Sequence, residues 1–293
     1  MAKSSFAERL KSGAPLVSDG ATGTNLQARG LRRGLPSEAW MFEHPEQIEQ
    51  LHRDFVAASS DIILTNTFGG SPLRLREAGL DGKVQEVNQM AIRLARQAAG
   101  EKAYVAGSIG PSGGLLKPLG PLEEAEVFAS FAEQAQVMAE TGVDLIVIET
   151  QFDLGEATQA VKAVRSVTSL PLVCSFSYDR GTRTMMGVKP SQMARIYADL
   201  GVDVLGINCG RSLDENFKAL QELRSATSLP IWFKPNAGLP KLDADDNPTY
   251  DVTPEAMGAQ AAQWLEAGAQ VVGGCCGTTP EHLGSIASTV KSH

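Results

Sequence analysis

No stretch of the 293 residues approaches the roughly 18 consecutive apolar positions of a membrane span, so no membrane crossing is expected. Basic residues are too few for a nucleic-acid binder: 26 Lys and Arg face 34 Asp and Glu, a net charge of −8, and no basic run interrupts that balance. The opening residues MAKSSFAERLKSGAP lack the apolar core and small-residue cleavage site of a secretory signal. Four cysteines in so long a chain do not make a disulfide framework. A cytoplasmic protein with a metal site or a reactive thiol is the expectation. There is no P-loop, no Gly-x-Gly-x-x-Gly and no Ser/His/Asp pattern. Histidine offers little: His44 and His52 lie on or before the first long helix, and His293 is terminal. His282 follows Thr278-Thr279-Pro280-Glu281, an N-cap pattern with Pro and Glu in the first turn, and is expected either at the surface or in the cap.

What the sequence has in abundance is a repeated short phrase. Apolar runs rich in β-branched residues recur at Pro15–Ser18, Asp61–Thr65, Tyr104–Ser108, Asp144–Glu149, Pro171–Ser175, Asp203–Asn208, Pro230–Phe233 and Gln270–Gly273. Such continuous runs suit strands buried on both faces of a parallel sheet. Between them lie helical stripes, such as Ile48, Leu51 and Phe55, or Val84, Val87, Ala91, Leu94 and Ala98, or Ala157, Ala160, Val161, Val164 and Val167. Gly142, Gly201 and Gly268 stand where a left-handed residue should end a helix before the next strand. Eight βα units in this length predict a single (β/α)8 TIM barrel over residues 1–293. A doubly wound open sheet is the alternative, but it does not demand eight units. The only long loop-like segment is the polar Pro240–Pro254.

Barrel chemistry is built at the C-terminal ends of the strands. Here those ends carry Asp19-Gly20, Thr65-Asn66-Thr67-Phe68-Gly69, Glu149-Thr150, Asn208-Cys209-Gly210, Lys234-Pro235-Asn236-Ala237-Gly238 and Gly273-Gly274-Cys275-Cys276-Gly277, while the opposite ends are bland. The sixth and eighth strands of a closed barrel are separated by one neighbour, so Cys209, Cys275 and Cys276 can converge. Adjacent cysteines in a regular strand would point to opposite faces. Gly273, Gly274 and Gly277 supply the freedom to leave that geometry. Three thiolates leave one position of a tetrahedral Zn²⁺ open, and soft sulfur excludes Mg²⁺ and Ca²⁺. Two blander readings stand beside this one. The cysteines could be small buried residues at the rim, and Asn236-Ala237-Gly238 with Gly273-Gly274 could cradle a phosphate. Cys174, within the fifth run, reads as core. Asp19 and Glu149 read equally as loop acceptors or as grips for a substrate ammonium.

The phrases DGATGTNLQ, TNTFG, GSIGP, ETQFDL, INCG, KPNAGLP and GGCCGTTPEH together resemble the zinc-dependent homocysteine S-methyltransferase family, and most of all its homocysteine-binding modules of cobalamin-dependent methionine synthase type. The resemblance runs from about Val17 to Leu283. It implies that Cys209, Cys275 and Cys276 bind Zn²⁺ and that the homocysteine thiol takes the open position. It further implies that Asp19, Gly20, Phe68 and Glu149 contact the amino-acid part of homocysteine, with Asn208 near the metal. No Asp-x-His-x-x-Gly corrinoid motif occurs in these residues, and Gly69 follows Phe68 where betaine-using relatives carry an aromatic residue. The expected methyl donor is a methylcorrinoid, free or on a separate protein, with a betaine or sulfonium donor as the alternative. From other classes, a Schiff-base barrel would rely on Lys234, and a non-catalytic zinc-binding subunit would need only the cysteines.

Overall fold

The expected apolar runs form eight parallel strands around a closed cylinder. They are β1 (Leu16–Val17), β2 (Ile62–Leu64), β3 (Tyr104–Ile109), β4 (Leu145–Gln151), β5 (Leu172–Phe176), β6 (Val204–Cys209) and β7 (Ile231–Pro235). A short antiparallel ribbon follows, β8 (Lys241–Leu242) with β9 (Pro248–Thr249), and β10 (Val271–Val272) is the eighth barrel strand. The order around the sheet is β1-β10-β7-β6-β5-β4-β3-β2, and a bridge between Ser18 and Ile62 joins its two ends. The protein is therefore a single (β/α)8 barrel, and the open doubly wound sheet is excluded. The structure, a computed structural model, describes residues 4–243 and 248–292. The centre of the 240–254 segment and the terminal His293 lie outside the described residues.

The helical stripes fall where periodicity places them, on helices Pro45–Ala57, Val84–Ala99 and Leu154–Val167. Their buried sides pack on the outward faces of the strands, in one continuous core. Gly142, Gly201 and Gly268 all have positive φ (93°, 77° and 95°), as the C-cap role requires.

Strand alternation sorts the inward face into layers. At the N-terminal end Leu16, Ile62, Tyr104, Leu145, Val173, Val204, Trp232 and Val271 form a second apolar cluster, closed from below by Phe6 and Leu10 of the N-terminal helix Phe6–Lys11. Burial of each such side chain is worth roughly 1.5–3 kcal/mol, so this inner cluster adds to the stability supplied by the larger outer core. Continuing by steps of two reaches polar residues: Ser108 on β3, Glu149 on β4, Ser175 on β5, Asn208 on β6 and Lys234 on β7, all buried. The stable layers and the polar layer thus occupy opposite ends of one cylinder.

Strand boundaries differ from expectation by one or two residues, as where β7 runs past Phe233 to Pro235, and two of the differences shape this polar end. β10 is only two residues long as a regular strand, although the Gly273 and Cys275 amides still donate to the Phe233 and Pro235 carbonyls of β7. β4 runs two residues past Glu149 to Gln151, with a register shift between Ile148 and Gln151, and Thr150 takes the left-handed region at φ 61°.

Candidate metal centre

Asn208 faces the barrel interior, so simple alternation would turn Cys209 outward. Cys209 instead has φ 59°, and this left-handed turn brings its sulfur to 3.0 Å from Cys275 Sγ. Cys276 joins them from the turn after β10, and the three sulfurs all lie within 4.8 Å of one another. Around a tetrahedral ion with bonds of about 2.3 Å, three sulfurs would be about 3.8 Å apart. The cluster is compatible with that spacing and could hold a metal ion. Without a cation the sulfurs compete for protons: hydrogen bonds from Cys209 and Cys275 pull the Cys276 thiol well below its ordinary value, while Cys209, donating to Cys275, is pushed up. Cys174 lies elsewhere, fully buried in the core, and burial pushes its thiol up as well. The three sulfurs meet in one cluster, which packing at the rim would not require. The phosphate cradle fails on its amides: Asn236 N–H donates to the Cys209 carbonyl, Ala237 to Cys276, Gly273 to Phe233 and Gly274 to Asp19.

The sulfurs line a cavity of about 600 Å³ at the C-terminal face, together with Gly20, Phe68, Glu149 and Lys234. Gly20 has no room for a side chain, since a Cβ would come within 2.8 Å of Phe55, Leu283 and Thr278. The Phe68 ring lies directly against Gly110, where a Cβ would sit 2.7 Å from it, and remains 39% exposed to the cavity mouth. Glu149 is buried and accepts a 2.5 Å hydrogen bond from Ser108 Oγ. Burial, offset in part by the Lys234 ammonium, pushes its carboxyl up to about 7.

Asp19 and Asn208 stand one layer behind the cavity wall, and their polar atoms are taken by protein partners. Asp19 Oδ1 accepts from Lys234 Nζ at 2.6 Å and Oδ2 from the Leu64 amide at 2.7 Å. Asn208 Oδ1 accepts from Ser175 Oγ (2.7 Å) and the Thr150 amide (2.9 Å), and its Nδ2 donates to Thr150 Oγ1 (2.8 Å) while facing Cys209 Sγ at 3.5 Å. Asn208 therefore holds Thr150 in a left-handed conformation that costs a β-branched residue about 1–2 kcal/mol. Asn208→Ala would leave two buried donors without an acceptor. A stability loss of about 3 kcal/mol is expected, read as a fall of several degrees in the melting temperature; an unchanged melting curve would show the network to be idle.

Sequence reasoning by itself misses several residues here. It singles out Lys234 only as a Schiff-base lysine, although strand alternation from Trp232 already places it inside the barrel. Tyr250 has no sequence signal. It arrives from the 240–254 segment, its ring against Gly277 and its hydroxyl bonded to Cys276, and burial raises its pKa. Of its two expected places His282 takes the cap, Nδ1 accepting from the Thr279 amide, and it is buried there with Nε2 2.9 Å from the Val252 carbonyl. His52 is buried under the first strand-end loop, and burial lowers its pKa to about 4.

A family model described as homocysteine S-methyltransferase matches residues 16–290. The chain is 32% identical to methionine synthase of Mycobacterium tuberculosis over 94% of its own length and 25% of that protein. It is equally 32% identical to methionine synthase of Mycobacterium leprae, over 94% of its own length and 24% of that protein. It thus spans about a quarter of the length of these curated relatives. Among solved structures, the metallated form of the homocysteine methyltransferase MmuM from Escherichia coli superposes with a TM-score of 0.81 at 25% identity, covering 96% of this chain and 98% of that one. With the match running across the whole barrel, and three converging cysteines at its rim, the chain belongs to the homocysteine S-methyltransferase family.

Proposed function

We propose that this protein methylates the thiol of homocysteine to give methionine, with Zn²⁺ held by Cys209, Cys275 and Cys276. The observation that carries the reading is the convergence of three cysteine sulfurs in a cavity that also contains a buried carboxylate and a buried ammonium. A thiol of ordinary pKa near 8.5 is mostly protonated at neutral pH, and bound Zn²⁺ supplies the chemistry that keeps it a thiolate, the nucleophilic form. The chain's own residues then orient the acceptor. Glu149 receives the α-ammonium, the Gly20 backbone lies along the amino-acid part, and Phe68 screens the mouth from water. Asp19 and Asn208 act from behind, by fixing Lys234 and the Glu149-Thr150 bulge. Once held, the sulfur lone pair forms the new S–CH₃ bond while the donor keeps the electrons of the bond that breaks.

For the donor we favour a methylcorrinoid, free or carried by a separate protein. Similarity to methionine synthases supports this, as does the lining of the cavity. Recognition of a quaternary ammonium or sulfonium calls for an aromatic cage. Of the rim aromatics, Phe68 lines the cavity, whereas Trp40, Tyr178 and Trp232 are buried in the cores. A second reading, a small betaine or sulfonium donor, is favoured by the full-length likeness to a homocysteine methyltransferase no longer than this barrel. Supplying methylcobalamin, betaine and S-methylmethionine separately with homocysteine distinguishes them. Methionine formation from methylcobalamin is expected; turnover with either small donor and none with the corrinoid would reverse the choice and leave the acceptor half intact. A Schiff-base role for Lys234 is disfavoured, because Asp19 and Glu149 outweigh burial and hold the lysine charged. Among the described residues no helix is long and apolar enough to cross a membrane, and we place the reaction in the cytoplasm.

A further inference from the structure

Among the described residues Lys234 is the only buried lysine or arginine, at 2% exposure. Its ammonium carries three donors, yet a single hydrogen bond is made, to Asp19 Oδ1. Trp232 lies beneath it, 5.8 Å from Nζ to the ring centroid, and its π face attracts the charge but supplies no acceptor atom for a hydrogen bond. The remaining N–H groups belong to a side chain that lines the cavity with Glu149 and the sulfurs. Those N–H groups can therefore take an acceptor that enters the cavity. That acceptor is anionic by preference, because a charge-assisted hydrogen bond is about twice as strong as a neutral one. Glu149 presents the opposite sign in the same cavity. One face of the site thus offers a carboxylate and an ammonium to a ligand bearing both charges.

We infer that Lys234 binds the α-carboxylate of the acceptor amino acid, opposite Glu149 at its ammonium, and so makes the site selective for a zwitterionic thiol. This rests on the homocysteine reading above. Asp19 plays the matching part by keeping Lys234 charged and aimed while the site is empty.

The test uses the zinc-loaded protein and three acceptors: homocysteine, 3-aminopropane-1-thiol, which lacks the carboxylate, and 4-mercaptobutanoate, which lacks the amine. Affinities are measured by titration calorimetry, and kcat/KM alongside. In the unsubstituted protein, loss of the carboxylate should weaken binding about 10- to 100-fold, as expected for one charge-assisted contact. Lys234→Met should weaken homocysteine by a similar factor, leave 3-aminopropane-1-thiol nearly unchanged, and keep one zinc per chain. Equal weakening of all three acceptors would show that Lys234 acts through Asp19 or the sulfurs, and the inference would fall with homocysteine binding intact. If the unsubstituted protein bound no homocysteine, the functional reading would fail with it. Should Lys234→Met not fold, the unsubstituted protein still decides: 3-aminopropane-1-thiol binding as tightly as homocysteine overturns the assignment.

Discussion

Alanine at Cys209, Cys275 or Cys276 is expected to abolish stoichiometric zinc binding and methionine formation together. The three sulfurs lie within 4.8 Å of one another and are the only cluster of at least three metal-ligating side chains among the described residues, so no neighbour can replace a deleted one. Loss of an outer-shell partner alone commonly costs 10- to 100-fold in metal affinity or activity, and loss of a direct ligand should exceed about 100-fold. Cys174→Ala is the control. That residue is buried in the core, away from the cavity, and its truncation should cost stability through a small void while leaving zinc and turnover intact. Metal analysis beside activity for the four variants checks the scheme, and full activity in a chelator-stripped, metal-free sample would sink it.

Glu149→Gln is expected to raise the homocysteine KM about 100-fold with zinc content unchanged, the pattern of a lost charge contact to an ammonium. The same substitution should stabilise the metal-free, substrate-free protein at alkaline pH. In the fold, burial raises the Glu149 pKa from 4.5 to about 7, against the pull of Lys234. The unfolded chain therefore releases this proton at lower pH than the native one. Below 4.5 both states are protonated and Glu149 imposes no penalty. Between 4.5 and about 7 the native protein loses stability as pH rises, reaching about 3 kcal/mol above that range. Melting curves of the parent and Glu149→Gln should therefore coincide near pH 4 and separate at pH 8, with the variant higher. In the parent enzyme the homocysteine KM should fall as pH rises through the Glu149 titration, because an ionised carboxylate is needed to hold the ammonium. If Glu149→Gln instead lost zinc or failed to fold, the side chain would be structural, and its place in the binding site would be withdrawn.

Much of this site is legible in the amino-acid sequence, because its strongest signals are local. The eight β-branched runs and the glycines ending several of the helices are properties of a few consecutive residues, and chain length together with right-handed βα succession leaves a closed barrel as the arrangement. The glycines around Cys275 and Cys276 show that this segment cannot remain a strand. The motif resemblance then ties it to Cys209, 66 positions earlier.

Contacts between distant strand ends were decided only by the tertiary structure. Lys234 and Asp19 are 215 positions apart, and their pairing depends on how β1, β10 and β7 adjoin around the cylinder. The left-handed turns at Thr150 and Cys209 fall on residues that ordinarily avoid them. The turn at Thr150 persists because Asn208, two strands away on β6, accepts from its amide and donates to its hydroxyl, a compensation that no local propensity encodes. Tyr250 likewise meets Cys276 only through the way its loop returns along the carbonyl of Ala237. Local periodicity and glycine placement determined the barrel and the sulfurs at its rim. The partners of each buried charge were set by strand register and closure, because a buried ion must be paired wherever the fold places it.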